Sequence, residues 1–488
     1  MRGLEASLSA HRPDAARRSG AGRGALALAC AAALFAAGCA TTDPASTLGK
    51  VQEITRTHVG KDVTIPRTDA DRDAVAARVQ TLLAKPLAAE DAVQVTLLNN
   101  RGLQASLATL GVADAELLEA SRLPNPGLTL TRPQSGGALS LEHSLHYSLA
   151  RLVMFPLLRD TEQSRFEQTQ RAVALDVLTL AYETRKAYFN AIAAAEMQRY
   201  AVQVQSAAEA SAELARRMEK AGNFNKLQHA REQAFYLEAA VGVARAQQAT
   251  TAARERLTRL MGLTSGDGKF VLPERLPDLP RAVAEQPDVE QRALAQRLDV
   301  LSDTFGAERM AKNLGLTRRT RFINLLDLGV VRSASDAGRA QLGYELTLEL
   351  PLFDWGESRI EKAEAFYMQA VNRAAQTAVN ARSEVREAYQ SHRVAYDIAR
   401  QYRDKIVPTA KRVSDENLLR YNGMLIGVFE LLADARAQIA SVSGSIAALR
   451  DFWIADADLQ MAMVGKPSLA EMANIAAPSA TSSASGGH

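Results

Sequence analysis

The sequence contains only two cysteines, Cys30 and Cys39, in 488 residues. Both lie in the first forty residues, so the rest of the chain can hold no disulfide framework and no cysteine-based metal site. Aromatic residues are also scarce, at 5%. This scarcity, together with long helical patterns, argues against several compact domains and predicts long helical rods.

Proline is missing from the whole stretch between Pro156 and Pro273. Residues that favour helices, such as Ala, Glu, Gln, Arg and Leu, dominate there. A pair suited to a helix–helix turn, Gly222-Asn223, interrupts the pattern. The outgoing helix, of about 60 residues, would be roughly 90 Å long and must pack laterally on other helices. Its spacing predicts a heptad seam at Tyr200, Val204, Ala207, Ser211, Leu214 and Met218.

The excess of positive charge is confined to the N-terminus. Of the 58 basic and 55 acidic side chains, five Arg and two acidic residues lie within residues 1–38, which leaves 53 of each sign. A balanced charge gives no argument for nucleic-acid binding.

Residues 1–38 are predicted to be a lipoprotein signal peptide. Three arginines precede an apolar run at residues 25–37, which is too short to span a bilayer as a helix. The following Ala36-Ala37-Gly38-Cys39 resembles a bacterial lipobox, in which the Cys becomes the lipidated first residue. Cys39 is therefore the predicted lipidation site, and Ala40 after it favours the outer membrane by resemblance to lipoproteins. The alternative is an ordinary signal peptide that is cleaved elsewhere.

Residues 341–350 alternate between apolar residues and small or polar ones. A period of two is typical of a strand with one face in an apolar medium and the other in water. Pro351 is predicted to end this strand, and Asp354 to cap a helix of about 65 residues. Pro408 is predicted to kink that helix. A second, weaker strand of this kind, stopped by Pro156, is predicted through Leu145, Tyr147, Leu149, Val153 and Phe155.

The two junctions indicate an internal repeat. Each half is predicted to contain a helix, a β-hairpin and two long helices. The first helix spans residues 91–121 in one half and residues 288–315 in the other, and the second half has a further strand at residues 319–332. The repeat matches Arg297 to Arg101 and Gly423 to Gly222, so the spacing between equivalent positions grows along the chain. The predicted division is a signal peptide at 1–38, an extended lipidated tether with short helical pieces at 39–90, a first repeat at 91–263, a linker at 264–287, a second repeat at 288–466 and a disordered tail at 467–488.

Four strands are too few to close a barrel, whereas three chains would supply twelve strands and twelve long helix arms. Several motifs then resemble the outer-membrane efflux protein (TolC-like) family over roughly residues 91–465. They are LPNP before a strand, LPLFDWGESRIEKAEA, residues 406–410, and Tyr421-Asn422-Gly423 followed by ELLADA at residues 430–435. The resemblance implies a mainly α fold with a membrane β-barrel: a homotrimer with a 12-stranded outer-membrane barrel and a periplasmic α-helical tunnel.

The same resemblance implies partners and sites. The partners are a periplasmic adaptor (membrane fusion) protein, an inner-membrane efflux transporter and outer-membrane lipid, for a lipid-anchored protein of the bacterial cell outer membrane that extends into the periplasm. The adaptor-docking tips would be Ala221, Gly222, Asn223, Asn422, Gly423 and Met424, next to the apolar residues Phe224, Leu425 and Ile426, which are expected to be exposed. Glu430 and Asp434 lie four residues apart on one helix face and would form acidic rings at the tunnel mouth. The alternative for this pair is a solvated helix face near a turn.

No catalytic arrangement is found. The alternating strand places His143 and His146 on opposite faces, so these residues are not expected to form a metal site. No Ser/His/Asp or Cys/His set and no phosphate-binding glycine loop is present, and neither an enzyme nor a cofactor is predicted. Trp355, Trp453, Tyr147 and Tyr344 are expected in interfacial belts or junction packing. The alternative function is a lipid-anchored periplasmic coiled-coil scaffold or adaptor without a pore.

Overall fold

The computed structural model describes residues 44–132, 134–135, 138–264, 269–321, 326–335, 341–349 and 353–467. The predicted signal peptide, Cys39, Pro351 and nearly all of the predicted tail lie outside these ranges. Within the described residues, none of the helices combines the length and the apolar character needed to cross a membrane.

Most of the described chain is helical, and its strands form one small antiparallel sheet. The elements, in chain order, are α1 (Pro44–Val59), α2 (Asp69–Leu83), α3 (Ala89–Asn99), α4 (Arg101–Ala120), β1 (Gly127–Thr131), β2 (Gln134–Ser135), β3 (Ala138–Ser148), α5 (Leu149–Lys220), α6 (Lys226–Leu260), α7 (Val289–Gln296), α8 (Leu298–Thr320), β4 (Leu326–Ser335), β5 (Gln341–Leu348), α9 (Glu357–Gln401), a π-helical segment (Tyr402–Ile406), α10 (Val407–Asn422) and α11 (Val428–Ala462).

Two long helical hairpins dominate the molecule. The first hairpin consists of α5, with 72 residues, and α6. At 1.5 Å per residue, α5 is roughly 108 Å long. The second hairpin consists of α9, the π-helical segment, α10 and α11. Its outgoing arm runs without interruption from Glu357 to Asn422, which confirms the predicted long helix of the second half.

The sheet has the strand order β1-β3-β4-β5, with the short β2 pairing only with β3. Strands β3 and β4 join the two halves of the chain: Leu145 pairs with Val330, which in turn pairs with Tyr344 of β5. Residues directly opposite each other in an antiparallel pair lie on the same face. One face is therefore mostly apolar and solvent-exposed, with Leu128, Leu130, Leu141, Leu145, Leu328, Val330, Leu342, Tyr344, Leu346 and Leu348.

The opposite face of the sheet is mostly polar. It carries Thr129, Ser144, Asp327, Glu345 and Thr347, together with glycines. His143 pairs with Leu130 on the apolar face, and His146 pairs with Gly127 on the polar face. The predicted separation of the two histidines is confirmed. The described residues contain no group of three or more His, Cys, Asp or Glu side chains that could hold a metal ion.

The predicted strand through Phe155 is wrong beyond Ser148. Helix α5 begins at Leu149, and Pro156 lies inside it. Leu149, Val153 and Leu157 also fit a helical period, and a short apolar run satisfies both patterns. Asp354 does not cap α9 as predicted: its Oδ1 accepts the Gly356 N–H at 2.8 Å, and Gly356 occupies the N-cap position with φ +79°. The strand predicted at residues 319–332 begins only at Leu326, because α8 continues to Thr320.

The helix predicted over residues 91–121 is broken at Asn100, which ends α3 and begins α4. Asn100 is extended there, with φ −68° and ψ 117°, and its side chain caps α4 by accepting the Leu103 N–H. Arg297 likewise ends α7 and begins α8, with φ −61° and ψ 123°, but its side chain does not cap α8. The Asn100 amide donates to Leu260 O, and the Arg297 guanidinium donates to Ala462 O. The residue that matches Arg297 is thus Asn100, and the predicted match with Arg101 is wrong by one position.

A hydrophobic core lies at the end of the first hairpin opposite its tip, where α2, α3, α5, α6 and α11 meet. Trp453 packs there, with its ring 5.3 Å from the Phe189 ring, and its indole N–H donates to Pro277 O. Residues 39–90 contain α1 and α2, and Val51 and Val63 within this range are fully buried. The predicted seam of the first hairpin is also corrected: Leu214 is 46% exposed, whereas the small residues Ala208, Ala212 and Ala215 are buried. Alanines allow the two helices to approach closely.

Candidate functional site at the hairpin tips

The first tip joins α5 to α6 over residues 221–225. Gly222 has φ +78°, a left-handed conformation that glycine adopts at little cost. The Asn223 N–H bonds to Met218 O at 2.9 Å, the 6→1 bond of a Schellman turn. Asn225 and Gln228 then form a reciprocal capping box that starts α6. Gly222 and Asn223 therefore form the turn that the sequence pattern predicts.

The second tip joins α10 to α11 over residues 423–427, but its left-handed residue is not the predicted one. Gly423 has φ −81°, whereas Met424 has φ +58°. The Leu425 N–H bonds to Arg420 O at 2.8 Å, so Met424 occupies the position that Gly222 has in the first tip. Gly222 therefore corresponds to Met424 and not to the predicted Gly423, which is one position earlier in the chain.

The π-helical segment accounts for this extra residue. Two equivalent salt bridges lie before it, Arg185 with Glu90 at 2.7 Å and Arg386 with Glu290 at 2.9 Å, and their arginines still have the predicted spacing. Within the segment, the Val407 N–H bonds to Tyr402 O, five residues back. A π turn holds one more residue than an α turn, so it accommodates one added residue without rotating the helix beyond it. The segment ends at Ile406, two residues before Pro408, the residue predicted to kink the helix.

A glycine on the facing helix accommodates the π segment. The Tyr402 ring lies against Gly444 of α11, and a Cβ atom added there would be 2.6 Å from Tyr402 Oη. Arg403, also in the π segment, donates to Leu279 O at 3.3 Å. The segment is therefore tied to the facing helix and to the linker between the halves.

The two tips expose different surfaces. Met424 is 93% exposed and Leu425 77%, next to the exposed Leu419. Phe224 at the first tip is only 9% exposed, so the prediction that it is exposed is wrong; it folds back into the hairpin. Ile426 is half-buried. Leu227 at the start of α6 is 60% exposed, so the first tip shows one exposed apolar side chain. The second tip shows three, and we call Leu419, Met424 and Leu425 the tip patch.

Glu430 and Asp434 lie in the first two turns of α11 but have different surroundings. Glu430 is exposed in the first turn, where the helix dipole favours a carboxylate. Asp434 is half-buried and accepts a hydrogen bond from the Asn417 amide of α10. Two nearby arginines pair with other carboxylates: Arg420 lies 3.4 Å from Glu416, and Arg436 contacts Glu232.

Sequence reasoning missed Glu232, which connects the two hairpins near the tips. Its side chain is 2% exposed and accepts hydrogen bonds from Ser211 Oγ at 2.8 Å and from Arg436 Nη2 at 3.0 Å. The Arg436 guanidinium also covers the Phe235 ring at 4.3 Å. Glu232 and Asp434 are separated by the same number of residues as Gly222 and Met424. The corrected spacing between the two halves would therefore have identified Glu232 from the sequence.

A further acidic residue lies two turns before the first tip. Hydrogen bonds from Arg216 and Arg217 lower the pKa of Glu213 to about 2.

Comparison with solved structures gives extensive matches to outer-membrane channels. A membrane protein from Pseudomonas aeruginosa matches with a TM-score of 0.67 and 21% identity, covering 77% of this chain and 93% of its own. The open-state MtrE outer membrane channel of Neisseria gonorrhoeae matches with a TM-score of 0.65 and 18% identity over 80% of this chain and 89% of its own. The CmeC outer membrane channel of Campylobacter jejuni matches with a TM-score of 0.64 and 16% identity over 82% and 89%.

No protein-family model matches the chain, and no curated protein matches it either. At these identities the structural matches establish the fold. They confirm the predicted resemblance at that level: the chain has the fold of the TolC-like outer-membrane efflux channels.

Proposed function

We propose that the protein is the trimeric outer-membrane channel of a tripartite efflux pump. It would passively conduct substrates from an inner-membrane transporter and a periplasmic adaptor to the outside. The observation that carries this proposal is the sheet, which has one exposed apolar face, one polar face and two edge strands, β1 and β5, whose outer edges pair with no other strand that the structure describes. Exposed leucines on every long strand suit lipid contact, and unpaired strand edges are not tolerated in lipid.

Three copies would remove the open edges. Each chain contributes the four long strands β1, β3, β4 and β5, so β5 of one copy would pair with β1 of the next in a closed barrel of twelve. The six helical hairpins would lie side by side beneath it as a periplasmic tunnel. The matching contacts of Asn100 and Arg297 with the ends of α6 and α11 support the internal repeat on which this symmetry depends.

The proposal includes an acyl anchor at Cys39. The Thr47 hydroxyl donates to Asp114, and the Thr47 backbone oxygen accepts from the Gln170 amide at 3.2 Å. These two contacts fix the start of α1 beside α5. Cys39 lies eight residues before Thr47, so these contacts hold the start of the lipid-bearing segment against α5. Cys39→Ser should abolish palmitate labelling, and continued labelling would refute the anchor.

The hairpin tips would dock the periplasmic adaptor. The tip patch of Leu419, Met424 and Leu425 provides an apolar contact, and a helical hairpin end seldom exposes such residues without a partner. The first tip, where Phe224 is buried, would contribute Gly222, Asn223 and the exposed Leu227. Cross-linking from either tip in cells should capture the adaptor.

Glu430 would form the acidic ring at the tunnel mouth, with Asp434 one turn farther in. At about 8 Å and an effective dielectric constant near 20, each like-charge pair would repel by roughly 2 kcal/mol, which opposes closure and favours cations. Glu430→Gln together with Asp434→Asn should lower the cation selectivity and divalent block of purified trimers in planar bilayers. Unchanged reversal potentials would place these carboxylates outside the pore.

The second candidate function is a lipid-anchored periplasmic scaffold or adaptor without a pore. The long helical hairpins suit either function. A periplasmic scaffold, however, does not explain why leucines are exposed on every long strand of the sheet. Heat-modifiable migration of the detergent-extracted protein separates the two. A channel should migrate as a compact oligomer before boiling and as a monomer after it, whereas a scaffold should migrate as a monomer in both samples.

A further inference from the structure

A groove of about 280 Å³ lies directly beneath the sheet, between the end of α4 and the start of α5. Glu119 and Arg122 line one side, Arg151 lines the other, and Phe155 and Leu158 supply apolar wall. The volume lies near the lower end of the range for small-molecule sites. The neighbouring strands begin at Gly127 and end at Ser148, so the groove opens at the level where sheet gives way to helix.

Two opposite charges face this groove without an ion pair. Arg165, also in its lining, is neutralised by Glu116 at 3.0 Å and Glu162 at 3.5 Å. Arg151 and Glu119 are both exposed, and neither forms a salt bridge with any residue in the described part of the chain. Arg122, the third arginine in the lining, is also engaged by a neighbour. Arg151 and Glu119 therefore remain as the cation and the anion that the groove offers to a ligand.

An apolar border connects the groove to the sheet. Leu123 and Leu152, which adjoin the lining residues Pro124 and Arg151 in the chain, are exposed. The exposed leucines on the apolar face of the sheet begin a few residues away along the chain, at Leu128 and Leu145. An exposed apolar surface that ends in a pair of opposite charges matches an amphiphile whose head group is a zwitterion.

We propose that this groove binds the head group of an ethanolamine phospholipid. The phosphate would accept hydrogen bonds from Arg151, the ammonium would donate to Glu119, and the acyl chains would run past Leu152 onto the sheet. An anionic lipid would leave the Glu119 carboxylate facing a phosphate, and a choline head group has no N–H to donate. The proposal rests on the proposed function, because it requires that the apolar face of the sheet lie in a bilayer.

The test is native mass spectrometry of the delipidated full-length protein, titrated with phosphatidylethanolamine, phosphatidylcholine and phosphatidylglycerol. The wild type should prefer ethanolamine to choline lipid by about tenfold or more, the ratio that a difference of about 1.4 kcal/mol gives. Glu119→Gln should remove this preference while phosphatidylglycerol binding rises. Arg151→Gln should weaken binding of all three lipids.

Arg245→Gln is the matched control, since Arg245 is exposed and has no salt bridge within the described residues but lies on the shaft of α6. It should bind all three lipids as the wild type does. Equal wild-type binding of ethanolamine and choline lipids, or variants at 119 and 151 that behave like the control, would overturn the site. Channel conductance of the same samples is recorded separately: conduction without lipid preference refutes the site alone, and absence of conduction refutes the proposed function.

Discussion

Removing the Arg436 guanidinium should loosen the contact between the two hairpins near their tips. Glu232 is 2% exposed and has two partners, Ser211 and Arg436. Arg436→Met preserves apolar cover over Phe235 but leaves the buried carboxylate with a single hydroxyl donor. Loss of one partner from a buried polar group costs about 1–3 kcal/mol. A free-energy change of this size corresponds to a factor of roughly 5–150 in the opening equilibrium.

Hydrogen-exchange mass spectrometry measures this equilibrium locally. Peptides covering residues 205–236 should lose protection by that factor, while peptides from the buried middle of α5 at residues 173–193 should not change. Adding Glu232→Gln to Arg436→Met should restore much of the protection, because a neutral amide is less costly to bury unpaired than a carboxylate. Arg420→Met is the matched control, since Glu416, its partner at 3.4 Å, is largely exposed. The reasoning is refuted if the control loosens the tips equally, or if the second substitution restores nothing.

Three further predictions concern backbone and charge. Gly222→Val should destabilise the first tip by about 1–2 kcal/mol, because the φ of Gly222 is +78°. Gly423→Val should be tolerated, because the φ of Gly423 is −81°. The prediction is contradicted if each variant raises the hydrogen-exchange rate at its own tip by the same factor. Gly444→Val should displace the Tyr402 ring, which lies where a Cβ would be, and lower the thermal midpoint; an unchanged midpoint and unchanged Tyr402 environment would refute that packing. Burial raises the pKa of Asp458, and the Lys186 ammonium at 2.9 Å opposes this rise. The protonated Asp458 therefore contributes stability below its usual pKa of 3.8, and this contribution is lost as the pH rises through the raised pKa. The wild type should therefore lose stability relative to Asp458→Asn over that rise, and a pH-independent difference in thermal midpoint would show that ionisation of Asp458 carries no cost.

The large elements could be predicted from the sequence because their periods are long and unbroken. Strand β5 was located by the alternation from Leu342 to Leu348, and both hairpin turns by glycine within a helical pattern. The tips, the sheet faces and the outgoing arm of the second hairpin therefore lie where the patterns place them.

The misplaced details depend on single residues. The Asn100 side chain caps α4 and so separates it from α3. The spacing of the apolar residues continues across this break and does not reveal it. The π segment adds one residue, so the match of Gly423 with Gly222 was one position out and Met424 was missed as the left-handed residue. Glu232 was missed because its partner, Arg436, lies in the other half of the chain and only the packing of the hairpins brings them together.

Single-channel recording from the purified full-length protein in planar bilayers tests the central claim most directly. Three sheets with open edges and one apolar face should close into a pore, so stable unitary currents are expected from the heat-modifiable oligomer. Boiled monomer should give none. The account is contradicted if the intact oligomer inserts into the bilayer and passes no current above that of the boiled sample.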